Sequence, residues 1–396
     1  MTTTDIDQAA LDQVDFALDA MPGQRLHDVL HAYRARGPVQ PTRFLTIPSF
    51  VITGHAALLE AFKDVARFPP HLMYQATIEK AAGKTFISME DPQHLLFRKL
   101  ATPAFRSRAV ASYEETGLRE LALELVEKID ASREFDLMPS FVSRFPYLVI
   151  TRLLGLPRDR EDEFHEWALQ MLQIGQDPEA AARAGEELTS FLAPVVEARR
   201  HAPRNDVISE LLAANVEGRA LTDEEIYSHV RLLFPTGGET THGSLGNLLY
   251  ALLGHEGSWS RVGNDRSLIP GAVDEGLRWE TSIAVLPRLS CGKDIEFCGV
   301  DIPANSWVLF AIAGANHDPA VFENPDAFKI GRSTQDALTF GRGVKACPGM
   351  HLTRRNMSVA LDVLLDRFPT LKLVAPDTAI PERSTLRCPT TLRVSA

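Results

Sequence analysis

Only four of the 396 residues are cysteine, at positions 291, 298, 347 and 388, and no two of them are spaced as C-x-x-C. That excludes a zinc ribbon or a disulfide scaffold and suits a reducing compartment. Positive charge is also short: 41 Lys and Arg stand against 52 Asp and Glu, a net charge of −11, so binding to nucleic acid, which needs a cationic excess, is not expected. Long apolar runs are missing too. The best, Leu232 to Leu253, is interrupted by Glu239, His242, Asn247 and glycines, which a bilayer would reject. The start, MTTTDIDQAALDQVDF, is acidic and polar where a secretion signal is basic and then apolar. A soluble, cytoplasmic chain is therefore expected. There is no Gly/Ser linker, low-complexity tract or repeat, and 45% hydrophobic with 23% charged residues is ordinary for a globular protein. One domain over residues 1–396 is expected, with about the first 20 residues poorly ordered.

What is present is mostly helical period. TRFLTIPSFVIT alternates around Pro48 and predicts a hairpin, and GHAALLEAFKD a short helix. The strongest window runs from Leu221 to Gly254. Thr222 with Glu225 makes a capping box and Gly254 a stop, so a helix of about 31 residues should cross the whole core. A helix is predicted around Ile269 to Glu280, strands at Ile295 to Phe297 and Trp307 to Ile312, a helix after Cys347, and strand in the tail STLRCPTTLRVSA. The expected class is mainly α with small β-sheets.

Two segments break these patterns. In the middle of the long helix, LLFPTGGETT places Pro235, Gly237 and Gly238, residues that cost helix stability, which predicts a local opening such as a π-bulge. In FGRGVKACPG, Phe340 to Gly349, one cysteine sits among three glycines, Gly341, Gly343 and Gly349, before a helix. Glycines let the backbone pass close to a flat ligand, and unpaired N–H groups at the helix start favour a thiolate at Cys347. A thiolate on such a loop suits a metal.

The pattern F-G-x-G-x-x-x-C-x-G resembles the haem-binding loop of the cytochrome P-450 superfamily, and LLFPTGGETT resembles that family's A-G-x-E-T signature with Thr236 in place of the alanine. The resemblance implies haem b between the long helix and the cysteine-bearing helix, with Cys347 as the iron ligand and O2 as cosubstrate. It makes Thr240 and Glu239 the catalytic pair: splitting dioxygen in a dry site needs two protons, which a hydroxyl relays and an acid resupplies. Phe340, Gly341, Lys345 and Gly349 on the loop, with Gly237 opposite, would border the cofactor. His94 and Arg98 in DPQHLLFRKL match H-x-x-x-R, and with Arg288 they are implied to hold the haem propionates. Glu275 and Arg278 match E-x-x-R, implying a buried pair joined by Arg332 that braces the loop. Two departures are Lys345, where a histidine is common, and Pro348.

The resemblance places a pocket over Phe68 to Phe86, Trp167 to Ile174, Phe234, Thr236, Ile283 to Leu286 including Ala284 and Val285, and Thr385 with Leu386. It is mostly apolar, implying a hydrophobic substrate. Thr236 is expected to bond the Leu232 carbonyl rather than substrate. With no flavin, nicotinamide or iron–sulfur motif of its own, the chain needs a ferredoxin, of the [2Fe–2S] or a similar type, and its NAD(P)H-dependent reductase. A cationic patch of Lys345, Arg342, Arg354, Arg355, Lys99, Arg106 and Arg108 would steer an acidic partner. A monomer is expected. The competing functions are an H2O2-dependent peroxygenase, which has less use for the Glu239–Thr240 relay, and a non-catalytic haem sensor, which has none.

Overall fold

A computed structural model describes residues 8–106, 109 and 117–396. Its axis is a helix of 32 residues, Asp223–Gly254, roughly 48 Å long at 1.5 Å per residue. The expected capping box forms: Glu225 N–H donates to Thr222 Oγ1 at 3.3 Å, and Thr222 N–H donates to Glu225 Oε2 at 2.8 Å. The predicted opening does not form. The helix runs unbroken through Pro235, Gly237 and Gly238, and at the two glycines neighbours occupy the space that side chains would need. A Cβ on Gly238 would lie 2.5 Å from the Tyr147 ring, and one on Gly237 3.3 Å from Ile150. The two glycines thus admit the helix Phe145–Leu154 to close packing. A π-helical turn does occur, but at Met138–Val142, beside the central helix.

The helix Met350–Arg367 runs from the cysteine loop and packs against both the central helix and the helix Ile269–Trp279. The main sheet joins the two halves of the chain, in the order Val39–Phe44, Ile47–Ile52, Trp307–Phe310, Leu286–Leu289. The first pair is the predicted hairpin, but its turn is Leu45–Thr46, both at positive φ (53° and 66°), and Pro48 is paired with Arg43 inside the second strand. Proline is tolerated there because the parallel pairing with Trp307–Phe310 begins only at Phe50. The tail forms two short strands, Cys388–Pro389 and Arg393–Ser395. Within the stretch expected to be poorly ordered, Leu11, Val14 and Phe16 are buried in one cluster with Leu26, Leu30 and Tyr33, which holds residues 11–16 in place. Among the described residues no helix is long and apolar enough to cross a membrane.

Candidate active site

A deep cavity separates the central helix from the cysteine loop. It encloses about 1570 Å³ of empty space, open solvent at its mouth included. On one wall stands Cys347, with Phe340, Gly341, Lys345, Pro348 and Gly349; on the other are Leu232, Leu233, Thr236, Gly237, Thr240, Thr241 and Ser244.

The loop's geometry explains two of its glycines. Gly341 and Gly343 have φ of 66° and 76°, and a Cβ at Gly343 would lie 2.8 Å from the Phe62 carbonyl oxygen. Gly349 is different: its backbone is ordinary, and a Cβ would meet Cys347 Sγ at 3.7 Å, a normal contact. Its lack of a side chain keeps the space beside the sulfur open. The loop is closed by Cys347 N–H donating to the Phe340 carbonyl at 2.9 Å. Cys347 lies deep in the protein yet is open to the cavity. Burial raises its thiol pKa, opposed by the Gly349 N–H, the Arg98 charge and the Met350 N–H. The helix begins at Met350, so Pro348 precedes it rather than occupying its first turn.

Support for the loop comes from below. Glu275 and Arg278 are fully buried and paired through two 2.8 Å hydrogen bonds, and Arg332 Nε joins Glu275 at 3.2 Å. Arg278 also donates to the Asn316 carbonyl at 2.8 Å, and Asn316 Oδ1 accepts from Leu338 N–H at 2.8 Å, just before Phe340. The braced triad implied by E-x-x-R is therefore present, with Asn316 as the link to the loop that the motif alone did not reveal.

Four basic side chains gather at the cavity's edge. Arg288 lines it from the strand Leu286–Leu289, with Tyr74 and Phe310 rings 5.2 and 5.8 Å from its guanidinium carbon. Arg98, on the helix Gln93–Ala101, donates to the Ala346 carbonyl at 2.5 Å. Lys345 Nζ donates to the Phe86 and Met89 carbonyls at 2.7 and 2.8 Å; burial, with Arg98 and Arg288 as like charges and only Asp91 to oppose them, pushes it down to about 7. His94 is buried, with Nδ1 3.1 Å from Asp91 Oδ1, and its Nε2 is enclosed with no hydrogen-bond partner. Burial and then Lys345 lower its pKa. Arg98, Arg288 and Lys345 crowd together with Asp91 as the one carboxylate acting on Lys345, an arrangement that an anion would relieve. Two propionates meet that need, and the orphaned His94 Nε2 is where one would bond. The residues fit haem.

The central helix departs from expectation in one respect. Thr240 faces the cavity, but Glu239, one residue and about 100° around the helix, does not line it. The Glu239 carboxylate is buried behind the helix, accepting from Tyr147 Oη at 3.0 Å and lying 3.3 Å from His242 Nδ1. Burial raises its pKa, but His242, Tyr147 and His165 together hold it below the usual value. Thr236, Thr240 and Ser244 each donate to the carbonyl four residues back, at 2.6, 2.7 and 2.8 Å, so Thr236 is committed to Leu232.

Several expected pocket residues lie elsewhere. Phe234 is fully buried against Tyr147 and Phe164, because it lies about 100° around the helix from Leu233, on the side away from Thr236. Ala284 and Val285 pack into the cluster with Leu11 and Leu30, whereas their neighbours Ile283 and Leu286 line the cavity. Leu386 sits in a turn at φ 52° outside the cavity wall, with Thr385 bonded to the Val285 carbonyl at 2.8 Å. Nor does any residue from Trp167 to Ile174 reach it; Trp167 packs on Phe164. Leu232, Leu233, Ser244, Phe310 and Leu352 were missed. The four-residue stripe through Thr236 and Thr240 extends to Leu232 and Ser244 and would have found those two. Of the cationic patch, Lys345 is turned inward, Arg354 is tied to Asp274 at 2.6 Å, Lys99 and Arg106 are exposed, and Arg108 lies outside the described residues.

The family model described as Cytochrome P450 matches residues 163–390. The chain is 33% identical to cytochrome P450 107B1 of Saccharopolyspora erythraea, over 74% of its own length and 73% of that protein's. It is 30% identical to 6-deoxyerythronolide B hydroxylase of the same organism, over 89% and 91% of the two chains. The solved structure of the bacillaene polyketide synthase P450 PksS of Bacillus subtilis superposes with a TM-score of 0.86 at 28% identity, covering 94% of this chain and 97% of that one. The chain belongs to the cytochrome P450 family. It is a bacterial-type haem-thiolate monooxygenase that uses O2.

Proposed function

We propose that this chain holds haem b through the Cys347 thiolate and inserts one atom of O2 into a hydrophobic small molecule, by hydroxylation or epoxidation. Electrons would come from NAD(P)H through a ferredoxin reductase and a ferredoxin. The observation that carries the reading is the single cavity with Cys347 on one wall, Thr240 on the other and the unpartnered His94 Nε2 in a cluster of cations at its edge. Bound haem would supply the reductive activation of O2, chemistry no side chain can perform. His94, Arg98, Arg288 and Lys345 would hold the propionates, and the triad of Glu275, Arg278 and Arg332 would keep the loop in place.

Thr240 is one of the hydroxyls on the cavity wall opposite Cys347. Its hydrogen is directed to the Thr236 carbonyl, so donating a proton into the cavity requires rotation about one C–O bond. Glu239, turned behind the helix onto Tyr147 and His242, would supply a proton to Thr240 only once its carboxylate leaves those partners. The remaining wall, including Tyr74, Ile78, Leu232, Leu233, Ile283 and Leu286, is mostly apolar and would bind substrate by burial. This apolar lining, with the polyketide synthase named for one structural neighbour, supports a polyketide-type substrate.

Thr240→Ala tests the reading. With O2, reductant and substrate, product per NAD(P)H is expected to fall by about tenfold or more, since positioned acid catalysis contributes roughly 10²–10⁴-fold, while hydrogen peroxide rises. Full coupling in the variant, or turnover with hydrogen peroxide as fast as with O2 and reductant, would instead support a peroxygenase.

A further inference from the structure

Away from the cavity, three elements meet at Asp326: the helix Gln24–Arg36 with His31, the turn after Ile312–Asn316 with His317, and the loop running to Arg332. Asp326 Oδ1 lies 2.8 Å from His317 Nδ1 and 3.3 Å from His31 Nε2, and the three atoms all lie within 4.8 Å of one another. His317 Nε2 is 2.8 Å from the Trp279 carbonyl oxygen, which can only accept, so Nε2 carries the ring hydrogen. In the neutral ring Nδ1 therefore turns a lone pair toward a carboxylate oxygen. His31 Nε2, enclosed and without a hydrogen bond, lies against the same oxygen.

We propose that His31 Nε2, His317 Nδ1 and Asp326 Oδ1 bind one divalent cation of the zinc class. Such an ion turns the facing lone pairs into ligation. Two imidazoles and one carboxylate suit zinc better than magnesium or calcium, which prefer all-oxygen sets. Bonds of about 2.0–2.2 Å draw tetrahedral ligand atoms to roughly 3.3 Å apart, close to the two Asp326–imidazole distances. The Trp279 carbonyl on the other nitrogen of His317 is the usual outer partner of a metal-bound histidine. Asp326 is 54% exposed, leaving room for water as the fourth ligand. The site has a structural role: it clamps the N-terminal helix onto the loop that carries Arg332 and accepts from Arg278 at the Pro325 carbonyl.

The test is equilibrium dialysis of the chelator-treated, haem-loaded protein against Zn²⁺, with metal analysis. Wild type is expected to take up one ion per chain at this site. His31→Gln and Asp326→Asn, both at partly exposed side chains, are expected to weaken that uptake at least tenfold. Zinc K-edge absorption on the loaded wild type, which does not depend on either variant folding, should show two imidazoles with oxygen donors and no sulfur. No uptake by wild type, undiminished uptake in both variants, or sulfur ligation would overturn the proposal.

Discussion

Replacing Glu275 with glutamine puts the support beneath the cysteine loop to a quantitative test. Glu275 is fully buried and accepts four hydrogen bonds: from Arg278 Nε and Nη2 at 2.8 Å each, from Lys329 N–H at 2.9 Å and from Arg332 Nε at 3.2 Å. Glutamine keeps the volume but removes the charge and turns one acceptor into a donor facing donors. Arg278, with no exposed surface, is left without its counter-ion. Removing one partner of a buried pair costs about 3–5 kcal/mol, against about 0–1 kcal/mol for an exposed pair. That is a large part of the roughly 5–15 kcal/mol that stabilises most proteins. In urea, followed by far-ultraviolet circular dichroism and by haem absorbance, the midpoint should fall by roughly 1 M. Haem should be lost first, because the disturbance passes through Asn316 to Leu338 and the loop. Arg133→Ala, at a pair whose side chains are 78% and 57% exposed, is the contrast and should change stability by less than about 0.5 kcal/mol. If Glu275→Gln costs no more than Arg133→Ala, the triad is not a brace and this reasoning fails.

Other outcomes follow from single contacts. Because Thr236 Oγ1 is committed to the Leu232 carbonyl at 2.6 Å, Thr236→Ala should change substrate affinity less than tenfold in a spectral titration; a larger loss would mean that the hydroxyl binds substrate. Glu280 is wholly buried beside His27 and Arg387; burial raises its pKa, but Arg387 and His27 prevail and hold it at about 2. Between that value and the ordinary range near 4.3 the unfolded chain binds the extra proton, so this contribution, about 3 kcal/mol, is present above pH 5 and is lost as pH falls toward 2. Glu280→Gln should flatten the acid limb of a stability–pH curve, and an unchanged slope would count against the assignment.

Much of the site was legible because it rests on short-range signals. The capping box at Thr222 and Glu225, the glycines that φ requires at Gly341 and Gly343, and the three-residue spacing of Glu275 and Arg278 are local, and each appears in the structure. What failed was absolute phase. Sequence periodicity says that Leu233 and Thr236 share a face; it does not say that Phe234 turns to Tyr147, or that Glu239 turns away from the cavity. Pro235, Gly237 and Gly238 suggested an opening for the same reason: whether glycine loosens a helix or admits a neighbour depends on Tyr147 and Ile150, about 90 residues away in sequence. The role of Lys345 was equally long-range. It reads as either a cofactor contact or part of a surface patch until the Phe86 and Met89 carbonyls are seen around its ammonium group.

The central claim is that Cys347, as thiolate, is the ligand of haem iron. The absorption spectrum of the reduced, haem-loaded protein under carbon monoxide tests it most directly. A strongly red-shifted Soret band, abolished in Cys347→Ala, is the predicted result. A globin-like band in the wild type, or a red-shifted band that survives the substitution, would contradict it.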